Sequence, residues 1–149
     1  MSRLQAESEL LPRLLDWLHR RGRIRFDTVV VMEMPWFGRR IDLVTLTRSG
    51  RLTAYELKLH TNHRVIEQAA YNGMSFDSSY IVTGRTPSRR SRDMALRAGL
   101  GIIVIERDNV QLLDYAVPKV QSHALRKKLV ARIQAKAGAS GCSNASLTT

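Results

Sequence analysis

Cysteine is nearly absent: Cys142 is the only one among 149 residues. A single thiol cannot build a disulfide framework or a cysteine-based metal site within one chain, so a reducing compartment fits. Long apolar runs are also missing. The longest, 29–32 and 102–105, fall far short of the roughly 20 residues that span a bilayer. The start of the chain, Met1-Ser2-Arg3-Leu4-Gln5-Ala6-Glu7, has no apolar signal core. A cytoplasmic protein without a membrane partner is expected. Acids are scarce, at 13 Asp and Glu against 24 Lys and Arg, which leaves a formal charge of +11. That imbalance attracts polyanions, nucleic acid foremost. An arginine excess can also follow from a GC-rich genome, so charge alone decides nothing.

What is present suits one α/β domain. Apolar residues make up 44% and charged residues 25%, ordinary values for a globular chain that buries a core. Leu4, Leu11, Leu14, Leu15 and Leu18 recur at helical steps over 4–21, with Pro12 in the first turn and Gly22 as the C-cap. Strands are predicted over 28–34, 41–47 and 52–59, the last two joined as a hairpin across Ser49-Gly50. A helix over 64–73, a strand over 79–83, a helix over 89–98 and a buried strand over 101–106 follow, with a short edge strand over 110–115. The order predicts a mixed sheet with helices packed against it. A basic helix is expected over 119–137, its core 121–137 carrying Leu125, Leu129, Val130 and Ile133 on one face. The segment 138–149 has no core-forming pattern and reads as a disordered tail, which leaves 1–118 as the main domain.

The chemistry concentrates on one hairpin. In the strand Leu-Thr-Ala-Tyr-Glu-Leu-Lys-Leu, alternation puts Glu56 and Lys58 on one face. Asp42 opens the preceding strand, 14 residues earlier, so an antiparallel return brings it beside Glu56. Two carboxylates and an ammonium then meet at one sheet edge. Mg²⁺ takes oxygen ligands from one or two carboxylates and keeps several waters. The carbonyl of Leu57 offers a further oxygen, and Lys58 can stabilise charge on a phosphoryl group. Glu-x-Lys on an exposed strand is often only a solvated charged face. Here apolar residues flank the charges, and buried carboxylates without a partner are costly.

With Asp42, Glu56, Leu57 and Lys58 followed by a helix bearing Gln68, the chain resembles the PD-(D/E)XK nuclease superfamily over most of its length. Ile41 stands where the nominal motif has Pro. The resemblance implies a restriction-endonuclease-like αβββαβ core and a Mg²⁺-dependent deoxyribonuclease, read as an endonuclease, with Mn²⁺ able to substitute. Asp42 and Glu56 would be ligands and Lys58 the catalytic lysine. Many members place a Glu on the first helix near the metal. Helical phase puts Glu7 in the leucine stripe and Glu9 on the opposite side, which favours Glu7, although both could simply complement the helix dipole. Some members use a Gln on the following helix to contact the lysine or phosphate, a role that would fall to Gln68. Tyr71 lies one residue early for the Gln-x-x-x-Tyr form seen in a subset.

His60 and His63 supply too few ligands for zinc and read as loop residues. Trp36 and Phe37 are expected in a loop leading to Asp42, as a plug, a dimer contact or a base wedge. Arg39 and Arg40 abut Asp42, and Arg85, Arg89 and Arg90 form a second cluster. Both are expected to bind the DNA backbone by positioning contacts that carry no sequence information. Two alternatives stay open: a nucleic-acid-binding module that keeps the fold without chemistry, and a last helix that docks on membranes or partners. A homodimer is compatible with one small domain that cleaves one strand.

Overall fold

Six strands follow one another across a single sheet in chain order: β1 (Val29–Trp36), β2 (Arg39–Leu46), β3 (Leu52–Lys58), β4 (Ser78–Thr83), β5 (Gly101–Ile105) and β6 (Val110–Asp114). The computed structural model describes residues 3–139. The first three strands are antiparallel, β3, β4 and β5 run parallel, and β6 returns antiparallel. Parallel neighbours need crossovers. These are α2 (His63–Asn72) and α3 (Arg89–Arg97), both on one face of the sheet. The expected mixed sheet with flanking helices is therefore present. No helix among the described residues is long and apolar enough to cross a membrane.

α1 (Leu10–Arg20) covers the other face. Its buried Leu10, Leu14, Trp17 and Leu18 pack on Leu43, Leu57, Val82, Ile103 and Ile105. The helix is shorter than the leucine spacing predicts. Leu4 is fully buried, yet it precedes the helix, because the Glu9 carboxylate accepts the N–H groups of Gln5 and Ala6 at 2.8 and 2.9 Å. Those bonds hold a 3₁₀ turn over Glu7–Glu9 and pull the Glu9 pKa below its ordinary value. At the far end Gly22, with φ 70°, turns the chain so that the Arg23 N–H reaches back to the Leu18 carbonyl.

The β1–β2 connection differs from the expected loop. Trp36 belongs to β1, is buried, and donates its indole N–H to Ser75 Oγ at 3.0 Å. Phe37 and Gly38 alone make the turn, both with positive φ. That is the two-residue geometry whose twist matches paired strands. It missed recognition because a Phe, not an Asn or Asp, stands at its first position. The basic helix α4 (His123–Ala139) extends two residues beyond its expected end. It buries Leu129 and Ile133 against Val31, Val44, Leu46 and Phe76, so it shares the core of the same sheet. Each such side chain contributes roughly 1.5–3 kcal/mol. Arg126 fastens the helix to Asp77 and to the Gly50 carbonyl. The tail expected from 138 onward lies outside the described residues beyond position 139.

Candidate active site

The β1–β2 ladder has one break, and Asp42 sits in it. Pairing steps from Met32–Leu43 to Met34–Ile41 and skips Glu33 opposite Asp42. Glu33 has φ 53°, a left-handed conformation uncommon for a residue with a side chain. Side chains change faces across the break: Val31 and Met34 share one cluster, as do Val44 and Ile41. The kink frees the Asp42 carboxylate to turn toward β3, where Oδ2 accepts the Leu57 N–H at 2.8 Å. Backbone pairing of β2 with β3 ends at Leu43–Tyr55, so the Asp42 side chain replaces a strand at that edge.

Residues of an extended strand direct N–H and C=O to the same side. Leu52 exchanges bonds with Asp77 on the β4 side. Leu57, five residues later, faces the β2 side, as its bond to Asp42 requires. Its carbonyl therefore lies on the edge that carries Asp42.

Glu56 is only 5% exposed. Its Oε1 accepts the side-chain amide of Asn72, on α2, at 2.8 Å. Burial raises the Glu56 pKa to about 8, helped by repulsion from Asp42 and a hydrogen bond shared with it. The Asn72 amide and the Arg39 guanidinium act in the opposite direction. Two adjacent carboxylates, one held toward its protonated form by burial and by its neighbour, form the pattern that a cation relieves. Asn72 was missed from sequence. Its signal was an amide in the buried stripe Val65, Ile66, Ala69, Asn72.

Lys58 stands at the end of β3, half-exposed, with Nζ 3.6 Å from Glu7 Oε2. The structure brings Glu7 to the lysine and does not gather it with the carboxylate pair. Among the described residues no three His, Cys, Asp or Glu side chains converge on one point. The physical reason is the 3₁₀ turn, which removes Glu7 from the helical phase that placed it inward. Gln68 and Lys58 line the same small cavity of about 350 Å³, with Asn62, Arg64 and Val65.

The remaining predicted residues are spread over several places. Arg39 lies over the Tyr71 ring at 5.0 Å. Arg40 is exposed beside it. Arg89 and Arg90 open α3, which follows the same end of β4, and both are exposed. Arg85 instead donates to the carbonyls of Leu4 and Gly84, anchoring the N-terminal segment. His63 pairs with Glu67 at 2.8 Å, and His60 lines a separate cavity with Arg85 and Glu106.

A donor set of Asp42, Glu56 and the Leu57 carbonyl fits Mg²⁺, a hard cation that accepts two carboxylates and fills its shell with water. No protein-family model matches the sequence, and no curated protein matches it. Among solved structures, a protein of unknown function from Silicibacter pomeroyi, SPO1766, is similar at 18% identity, with a TM-score of 0.63 over 91% of this chain and 88% of that one. A repair endonuclease from Pyrococcus abyssi is similar at 13% identity, with a TM-score of 0.51 over 71% of this chain and 50% of that one. At these identities the likeness is one of fold: a mixed six-stranded sheet with flanking helices.

Proposed function

We propose that this protein is a metal-dependent nuclease that hydrolyses DNA phosphodiester bonds at the Asp42/Glu56/Lys58 edge, as an endonuclease of the PD-(D/E)XK superfamily. The observation that carries this reading is the juxtaposition of Asp42 and Glu56 where the β2–β3 ladder ends, with Lys58 one pleat further along. Asp42, Glu56 and the Leu57 carbonyl would hold Mg²⁺ or Mn²⁺. When bound, such an ion supplies Lewis-acid polarisation of a phosphoryl oxygen and a more acidic water. The protein's own groups do the rest. Asn72 orients Glu56, and the Leu57 N–H orients Asp42. Lys58, steered by Glu7, directs its ammonium at charge that develops on the phosphoryl oxygens. Gln68 shares its cavity and positions either the lysine or the phosphate. Arg39, Arg40, Arg89 and Arg90 supply backbone contacts along the same rim.

Plasmid, linear and branched DNA incubated with Mn²⁺ test this reading. Cleavage is expected for the native protein and is lost in Asp42→Ala, Glu56→Ala and Lys58→Ala. Cleavage that survives all three sinks it. One observation favours a second reading, a binding module without chemistry: Glu7 pairs with Lys58 and leaves only two carboxylates together. Salt-sensitive DNA binding with no metal-dependent cleavage of any substrate, and no Mn²⁺ heat signal that Glu56→Ala removes, would establish it.

A further inference from the structure

A large cavity lies at the opposite end of the sheet from Lys58. It is an open groove of about 1150 Å³. Its origin is a mismatch of lengths. Eleven helical residues of α1 reach about 16 Å, whereas an eight-residue strand such as β2 runs about 26 Å. Toward the Lys58 end, the α1 face of the sheet is aliphatic, with Leu43, Leu57 and Val82 under the helix. Beyond the helix the same face becomes Thr45, Thr53, Tyr55 and Tyr80, which form the groove floor. The two tyrosines stack at 5.6 Å.

The walls are basic. Gly22 ends α1, and the chain lays Arg23 and Arg25 along one side. The β2–β3 turn places Arg48 and Arg51 on another. The one acid in the lining, Asp27, stands 4.0 Å from Arg48. Arg23, Arg25 and Arg51 have no carboxylate within salt-bridge distance among the described residues. One exposed aromatic ring stands among these cations. Tyr115, 65% exposed, lies under the Arg23 guanidinium at 5.8 Å.

We infer that this groove binds a single-stranded polynucleotide, as a contact separate from the catalytic edge. Guanidinium groups without carboxylate partners around an exposed tyrosine ring suit an unpaired strand: cations follow the phosphates, and a ring stacks on bases of any sequence. The groove exceeds the roughly 300–1,000 Å³ of small-molecule clefts, which favours an extended ligand over a compact one. Nothing in this inference depends on hydrolysis at Asp42 and Glu56.

Fluorescence anisotropy in EDTA tests it with the whole chain, using labelled oligothymidylate and oligouridylate, a labelled duplex and inorganic polyphosphate. Arg25→Ala/Arg51→Ala should weaken single-strand binding about tenfold and lower its salt slope by about 1.4. Tyr115→Ala should weaken both oligonucleotides about fivefold and leave polyphosphate unchanged, since only bases stack. The charge-matched Lys127→Ala/Lys128→Ala, on α4, should have less effect on oligonucleotides. Circular dichroism confirms that each variant folds. Equal losses for the groove and α4 variants would overturn the inference, as would Tyr115→Ala binding like the native chain. So would a groove variant that loses duplex affinity as much as single-strand affinity. Preference for the thymidylate or the uridylate strand assigns DNA or RNA. Because no metal is present, failure here leaves the cleavage assay unaffected, and failure of cleavage leaves this binding intact.

Discussion

Asn72 donates its side-chain amide to Glu56 across the α2–β3 contact, at 2.8 Å, with both residues buried. The bond joins α2 to the one carboxylate on β3, which is buried. Replacing Asn72 by Leu keeps the approximate size of the side chain and deletes the donor. Leaving a buried polar group without its partner costs about 1–3 kcal/mol. The variant should melt several degrees lower in EDTA and bind Mn²⁺ more weakly by calorimetry. Unchanged melting and unchanged Mn²⁺ affinity would show that Asn72 does not orient Glu56.

The Glu56 pKa sets a pH dependence for the metal-free protein. It rises from 4.5 to about 8, chiefly by burial. Between those values the folded chain holds a proton that the unfolded chain releases. Stability therefore falls as pH rises from about 4.5 to about 8. Glu9 works in a lower window, since its pKa is depressed and its contribution fades only on acidification. Urea denaturation in EDTA should show the decline on the alkaline side, and Glu56→Gln should flatten it. Saturating Mn²⁺ should reverse the trend, because cations compete with protons for the carboxylate. A metal-free slope that Glu56→Gln leaves unaltered would rule out Glu56 as its source.

Glu33 carries the strain that shapes the site. A left-handed residue costs of order 1–3 kcal/mol and persists where surroundings impose it. Lys136 helps impose it by donating to the carbonyls of Met32 and Glu33. Glycine accepts φ 53° without penalty, whereas a β-branched side chain does not. Glu33→Gly is expected to match or exceed native stability, and Glu33→Val to fall below it by about 1–2 kcal/mol. Thermal melts of the pair decide. A valine variant as stable as the glycine one would mean the kink arises elsewhere.

The same kink explains what the sequence made legible and what it hid. Alternation along 52–59 was sufficient to put Glu56 and Lys58 on one face, and the Ser49-Gly50 turn was sufficient to bring β2 back beside β3. Those inferences need only local geometry. The break at Glu33 is not local: no pattern in 28–34 announces a glutamate with positive φ. The position of Glu7 was hidden for a related reason. Helical phase assumes a helix, and the Glu9 carboxylate, two residues on, holds a 3₁₀ turn there instead by accepting the Gln5 and Ala6 N–H groups. Trp36 followed the same logic, since its burial depends on Ser75, 39 residues away. The groove was legible only in part: Arg20, Arg21, Arg23 and Arg25 form a basic cluster in the sequence, but its walls also come from the β2–β3 turn and the chain after β6, which only the tertiary fold brings to it.

Gly101 links the groove floor to the core. A Cβ there would lie 2.2 Å from the Tyr80 ring and 2.7 Å from the Ala116 nitrogen. The ring packs over the start of β5 because only hydrogen occupies that position, and Tyr55 stacks on the ring in turn. Gly101→Ala must displace either the Tyr80 side chain or the backbone at Ala116. Overpacking of this kind typically costs about 1–3 kcal/mol. The displacement should also reach the groove and not the Asp42/Glu56 edge, because Asp42, Glu56 and Lys58 touch neither residue in the hydrogen bonds and ion pairs of the site. The expected result is a lower melting temperature with weakened single-strand binding, while Mn²⁺ binding at 25 °C is retained. A variant that loses Mn²⁺ binding while keeping single-strand affinity would reverse the assignment of which end Gly101 supports.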